Sequence, residues 1–310
     1  MEPEIFIQQK DVKGLISIFM KFASKFPIAT DRQDILNGAG VGAKVINSIN
    51  PNTIPVVFAN SLLAKFREYK LSNQRLDYHP MITFLSFLLN TGAGNYGLED
   101  QGVALCQRLI ERGKENFNAL KARNSVGRIE SPKGTGIGTC VLVAKDLLLT
   151  CHHIFSKGNI QQAWVRFDYK ENSYSLEEDF FELDLNFVSA HNQPDYALVK
   201  INGQPKQKII VPLNKTLSSG QESRIRIIHH PQGNPVVVSD VGQIVQEGAD
   251  YIDHNLSTDE GSSGAPVFDQ EWDLVAIHRG RYGMGRDIPP DTTEAVPIHA
   301  IWDKISPHLT

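Results

Sequence analysis

Residues 258–268 read Thr-Asp-Glu-Gly-Ser-Ser-Gly-Ala-Pro-Val-Phe, and their types and spacing suit acyl transfer. Ser263 supplies a hydroxyl between small residues, Gly264 and Ala265, that leave a substrate carbonyl free to approach it. Gly261 leaves its backbone bare, so its N–H and that of Ser263 can point at one spot. Two such donors make an oxyanion hole, which stabilises the charge that develops on a carbonyl oxygen under attack. A Gly-Ser-Ser-Gly turn is by itself a common loop, so the chemistry needs a base and an acid elsewhere in the chain.

Both have matching contexts. Residues 134–155 read GTGIGTCVLVAKDLLLTCHHIF, two apolar runs around a short Ala-Lys-Asp turn, which predicts a buried β-hairpin ending at Thr150-Cys151-His152-His153. Further on, Pro194-Asp195-Tyr196-Ala197-Leu198-Val199 places an acid at the head of an apolar strand. The order His, Asp, Ser is one in which a nucleophilic triad is known to occur.

On these motifs, residues of about 126–305 resemble the trypsin-like peptidase superfamily, and most of all its disulfide-free bacterial branches, the glutamyl-endopeptidase-like and HtrA-like enzymes. The resemblance implies a chymotrypsin-like double antiparallel β-barrel. It implies His153 as the base, with His152 as its neighbour, Asp195 as the group that orients the imidazole, Ser263 as the nucleophile, and Gly261 with Ser263 as the oxyanion hole. It also implies a primary pocket walled by residues 272–280. His278 stands where glutamyl endopeptidases carry a histidine that binds an acidic side chain, and Thr258 matches a pocket threonine of that family. Arg279 could add charge beside them, with Gly280 next in the wall, so cleavage after Glu or Asp is the expected preference. Glu260 at the rim is a counter-signal, because its carboxylate would repel an acidic substrate. Ser262 occupies the place where trypsin itself has an Asp that pairs with a newly cut N-terminus, so activation by N-terminal trimming is not expected.

The 310 residues exceed one peptidase domain, and the division expected is a helical domain over 1–122 and the peptidase over 123–310. In the first part, Leu15, Ile18, Phe19, Phe22 and Phe26 recur at helical steps, as do Phe58, Leu62, Phe66 and Tyr69, and then Leu105, Leu109 and Ile110. With breaks at Pro27, 38–42, 51–55, 72–80 and 92–97, this predicts a bundle of five or six helices of roughly 8–16 residues. Residues 114–123 read as a final polar helix or linker. Lys65, Arg67, Glu68, Glu99 and Asp100 read as exposed charges. The phrases Asn47-Ser48-Ile49-Asn50, Phe58-Ala59-Asn60-Ser61-Leu62-Leu63, Leu85-Ser86-Phe87-Leu88-Leu89, Gly97-Leu98-Glu99-Asp100-Gln101 and Leu109-Ile110-Glu111-Arg112 resemble bacterial effector-associated domains, small death-fold-like adaptors. That resemblance implies an upstream scaffold, an NTPase or NLR-like protein with a similar domain, as partner.

Net charge of −4 with dispersed Lys and Arg gives no electrostatic footprint for nucleic acid. Neither His152-His153 nor His229-His230 has metal-ligand spacing, so no metal and no cofactor are expected. The three cysteines, Cys106, Cys140 and Cys151, are too few for a disulfide framework. Cys140 and Cys151 could face each other across the hairpin, but buried reduced thiols are the preferred reading. The acidic N-terminus does not read as a signal peptide, and no apolar run reaches the ~18 residues of a membrane helix. The expectation is a cytoplasmic serine endopeptidase acting on protein substrates as an effector. The alternatives are a non-catalytic peptide-binding adaptor and a quality-control protease; the latter usually carries a C-terminal peptide-binding domain, which is not expected here.

Overall fold

The computed structural model describes residues 7–69, 76–156, 160–169, 180–205, 208–216, 223–281 and 289–309. The chain divides into two compact units, Met1–Leu120 and Lys121–Thr310.

In the first unit the apolar periodicity becomes helices α1 (Gln9–Lys25), α2 (Ala29–Gly38), α3 (Ala43–Ile46), α4 (Pro55–Glu68), α5 (Pro80–Asn90) and α6 (Asp100–Asn124). Proline opens α4 and α5, where its missing N–H costs nothing. The stripe Leu15, Ile18, Phe19 and Phe22 is buried against Phe58, Leu62, Phe66 and Phe84. Phe22 and Phe84 meet edge to face at 5.2 Å, and Phe19 and Phe66 do so at 5.7 Å; such ring pairs add to area burial. Arg32 is nearly fully buried. It donates to Ala23 O, Phe26 O, Pro51 O and Thr53 O, which satisfies carbonyls at the end of α1 and in the turn before α4. Two helix lengths differ from expectation. α3 has 4 residues, and α6 runs for 25, taking in residues 114–123. Phe117 and Ala122 are buried along that stretch and give it an apolar face that its low apolar content hides. The break expected at 72–80 falls partly on residues 70–75, outside the described residues. Lys65 pairs with Glu68 and Lys21 with Glu99 as exposed ion pairs.

The second unit is β. Strands β1 (Val126–Glu130), β2 (Gly136–Ala144), β3 (Leu147–Thr150), β4 (Trp164–Phe167), β5 (Phe180–Asn192) and β6 (Asp195–Ile201) close into a barrel in the order β1-β2-β3-β6-β5-β4. The expected hairpin is β2–β3, paired Val141 to Leu149 and Leu142 to Leu148. The second sheet holds β7 (Arg224–His229), β8 (Val237–Val238), β9 (Gly242–Glu247), β10 (Ile252–His254), β11 (Pro266–Phe268), β12 (Leu274–Gly280) and β13 (Thr293–Pro297). Its order is β11-β12-β13-β10-β9-β7-β8, and β11 also pairs with β7, so six strands close a ring with β8 attached outside. With β8 set aside, the second ring repeats the first: first, second, third, sixth, fifth, fourth. All these ladders are antiparallel. Two such six-stranded antiparallel barrels are the chymotrypsin-like fold. Closure removes exposed sheet edges and buries an apolar interior in each barrel.

Candidate active site

The first barrel supplies His153 and Asp195, the expected base and acid. β3 runs out at Thr150, and three residues later His153 opens the short helix α7 (His153–Ser156). Asp195 is the first residue of β6, which pairs with β3 so that Thr150 faces Ala197. That register brings the two side chains together. His153 N–H donates to Asp195 Oδ1 at 2.9 Å, and His153 Nδ1 lies 2.5 Å from Asp195 Oδ2. A carboxylate accepts only, so Nδ1 carries the proton and Nε2 is left as acceptor. Ser263, in the turn between β10 and β11 of the second barrel, places Oγ 3.0 Å from that Nε2. His153 and Asp195 are buried.

The backbone around the serine is pinned one carbonyl at a time. Asp259 O accepts from Ser262 N, Glu260 O from Gln232 N at 2.5 Å, Ser262 O from Ala265 N, and Ser263 O from Thr139 N. Gly261 O accepts from Thr139 Oγ1 at 2.8 Å. The Thr139 hydroxyl in turn accepts from His230 N. Among the described residues the N–H groups of Gly261 and Ser263 have no acceptor. Two unspent donors beside Ser263 are what an oxyanion hole requires.

Gly261 and Gly264 are needed for reasons the sequence does not give. Gly261 has φ +83°, and a Cβ there would sit 2.6 Å from His230 O and 3.0 Å from Gly233 N. Gly264 has φ +81°, and its Cβ would strike Thr139 O and the Thr150 hydroxyl. So Gly264 serves close packing against the first barrel, beyond leaving room for substrate.

The pocket residues divide. His278 is buried on β12, and its Nδ1 meets His254 Nε2 at 3.1 Å. Leu256 N–H donates to His254 Nδ1, and the Thr293 hydroxyl lies 3.4 Å from the same atom. Burial holds His254 down at about 4. Burial, followed by the neighbouring His254, His229 and His153, holds His278 well below the ordinary histidine range. Both rings are therefore neutral at neutral pH. A backbone N–H can only donate, so His254 Nδ1 is an acceptor and its Nε2–H donates to His278 Nδ1. That leaves His278 with a proton on Nε2. Arg279 does not join it. Its guanidinium is buried in an ion pair with Glu294, at the register irregularity between His278 and Gly280. The charge expected from Arg279 in the pocket is already neutralised. Gly280 ends β12 at φ +78°, Glu260 is exposed, and Thr258 is half-buried in the wall of a cavity of about 530 Å³ that His229 and Asp259 also line.

Ser262 is fully buried. Its Oγ lies 2.7 Å from His229 Nδ1 and accepts from Asp259 N. A neutral pair thus occupies the place where the resemblance implied an activation ion pair. Thr139 and Gln232 were not singled out in the sequence, and His229 was weighed there only as half of a histidine pair, because their partners lie far along the chain. Cys106, Cys140 and Cys151 are all buried free thiols. Cys140 donates to Gly127 O and Cys151 to His278 O. The Cys151 sulfur, His153 and Asp195 lie close enough to be considered as a ligand set. However, the His153 and Asp195 atoms already share a proton, and burial pushes the Cys151 thiol well up, away from the thiolate that a metal takes.

Two closed barrels with a Ser–His–Asp line between them define a trypsin-like peptidase domain. Residues 138–277 match the family model of the trypsin-like peptidase domain, and residues 9–124 match effector-associated domain 8. The chain thus carries a trypsin-like peptidase domain preceded by an effector-associated domain. It is 26% identical over 169 residues to a glutamyl endopeptidase of Staphylococcus aureus strain MRSA252, covering 49% of this chain and 45% of that protein. Against the same-named protein of strain MW2 the figures are 25%, 49% and 49%. The chain spans about half the length of these curated relatives. Similar solved structures include a serine endoprotease from Yersinia pestis, at 19% identity and a TM-score of 0.49 over 63% of this chain and 66% of that one. Another is Rv3671c from M. tuberculosis H37Rv, at 14% and 0.47 over 61% and 89%.

Proposed function

We propose that this chain is a serine endopeptidase that works through an acyl-enzyme. The observation that carries the reading is the Ser263–His153–Asp195 line with the unspent Gly261 and Ser263 N–H groups beside it. Ser263 Oγ adds to a peptide carbonyl while His153 Nε2 takes its proton. Asp195 holds the ring and stabilises the imidazolium, and the two N–H groups receive the oxyanion. His153 then protonates the leaving amine, and water, deprotonated by the same nitrogen, releases the acid.

Cleavage follows an acidic residue, with glutamate first. The neutral His254–His278 chain supports this, because it leaves an Nε2–H on His278 to donate to a carboxylate. The glutamyl endopeptidases among the relatives support it too. Recognition would rest on a hydrogen bond without a positive charge, since Arg279 is spent on Glu294. Discrimination between Glu and Gln should then be modest.

The effector-associated domain supports recruitment through a like domain on an upstream scaffold or NTPase, in a bacterial defence or signalling system. The reduced, buried thiols fit a cytoplasmic setting. No helix of the described residues is long and apolar enough to cross a membrane. Cleavage mapping on a peptide library tests the substrate reading: cuts clustered after Glu and Asp agree with it, and cuts clustered after Arg, Lys or Leu refute it.

A further inference from the structure

We infer that Gln232 is a positioning residue that sets the oxyanion hole, acting through the plane of the Glu260–Gly261 peptide. The inference rests on the peptidase reading above.

A trans peptide points its C=O and its N–H in opposite directions. Fixing the carbonyl of Glu260 therefore fixes the direction of the N–H of Gly261. That carbonyl is held by a single donor, Gln232 N, at 2.5 Å. With the carbonyl turned to Gln232, the Gly261 N–H is turned away from it and keeps no acceptor among the described residues. If the peptide rotated about its flanking bonds, the same N–H would swing out of the hole.

Gln232 reaches this position only in an unusual conformation. Its φ and ψ are 54° and 24°, in the left-handed region, which costs a residue with a side chain on the order of 1 kcal/mol. Of the five described non-glycine residues with positive φ, Gln232 is the one whose N–H meets the nucleophile turn. Local strain of this kind persists where the surroundings over-determine it. Here they do. The turn 230–234 is closed by Gly233 N to His230 O and Asn234 N to Pro231 O. Arg128, buried in the first barrel, donates to Gly233 O at 2.5 Å. The Gln232 side chain donates to Asp259 Oδ2 at 2.6 Å. Asp259 N–H in turn donates to Ser262 Oγ, one residue before the nucleophile. The backbone of 230–233 also lies against Gly261 so closely that a Cβ there has no room. Two loops distant in sequence thus meet backbone to backbone, and the strained residue makes the bond that orients the donor.

The test compares two substitutions in the full chain. Gln232→Gly keeps the N–H and takes the left-handed conformation freely, losing only the bond to Asp259; kcat is expected to stay within about threefold of wild type. Gln232→Val disfavours that conformation strongly, so its N–H leaves Glu260 O. The expected result is a fall in kcat of about 10² or more, as for loss of one oxyanion donor, with KM changed little. A peptide aldehyde, whose adduct needs the hole, should lose affinity in parallel with kcat, while the matching product peptide acid binds as before. A general loss of structure would weaken both ligands together and would overturn the inference. So would a Val variant with wild-type kcat, or a Gly variant that loses as much as Val. A wild-type chain that neither cleaves peptides nor binds the aldehyde instead overturns the peptidase reading, and this inference falls with it.

Discussion

Replacing Gly261 with alanine probes the meeting of the two loops directly. The residue has φ +83°, so any side chain there starts with a conformational cost of about 1–2 kcal/mol. The new Cβ would also lie 2.6 Å from His230 O and 3.0 Å from Gly233 N, both backbone atoms that cannot swing aside. One of the loops must move, and the bond between Gln232 N and Glu260 O lies in its path. Moving it turns the Gly261 N–H away from the position an oxyanion would occupy. Loss of one such donor costs about 10²–10³ in kcat, or roughly 3–4 kcal/mol. The folding cost is smaller: about 1–2 kcal/mol lowers the melting midpoint of a domain of this size by roughly 2–8 °C. The assay is steady-state hydrolysis of a chromogenic glutamyl peptide at a temperature well below both midpoints. The reasoning is refuted if kcat stays within about threefold of wild type, because the N–H would then not be the donor that receives the charge.

Three further outcomes follow from other parts of the molecule. His254→Leu removes the donor to His278 Nδ1 and releases its tautomer. The kcat/KM for a glutamyl substrate should drop about 10-fold or more relative to wild type, with its glutaminyl counterpart falling nearly as far, and an unchanged kcat/KM would dismiss the His254–His278 chain as a determinant of preference. In the peptidase unit, His229, His230 and His254 are held by burial at about 4, and His278 is likewise held well down, against an ordinary 6.5. The unfolded chain therefore binds more protons between these values, so stability is complete above about pH 6.5 and is lost as pH falls toward 4; melting midpoints at pH 7, 6 and 5 should fall steadily, and a flat profile would contradict buried neutral rings. Arg32→Met orphans four carbonyls and should destabilise the helical unit by several kcal/mol, on the order of 3–5, in urea unfolding of the full chain; a change below about 1 kcal/mol would mean that water satisfies those carbonyls.

What the sequence made legible is what depends on neighbours in sequence. The helices of the first unit follow from 3.6-residue periodicity, and the β2–β3 hairpin from two apolar runs and a turn. The triad residues could be named because each sits at a recognisable local punctuation: the end of a strand, the head of a strand, a glycine-rich turn. What stayed hidden depends on partners far along the chain. Arg279 looked like pocket charge because its neighbour is His278; only the pairing of β12 with β13 supplies Glu294 to neutralise it. Arg32 carries no signal in the sequence, because the four carbonyls that converge on it come from two segments, the end of α1 and the turn before α4. Residues 114–123 read as a final polar helix or linker because their apolar content is low, and Phe117 and Ala122 suffice to give that helix one buried face. Gln232 carries no signal at all, since its contribution is a backbone N–H in a conformation that no residue type at that position announces.

The measurement that bears most directly on the central claim is labelling of the full chain with a fluorophosphonate, followed by mass spectrometry to locate the adduct, with Ser263→Ala alongside. The assembled line of Asp195, His153 and Ser263, with open N–H donors beside it, predicts a single adduct on Ser263 Oγ and none in the variant. Failure of Ser263 to label, or labelling that persists in the variant at another residue, would contradict it.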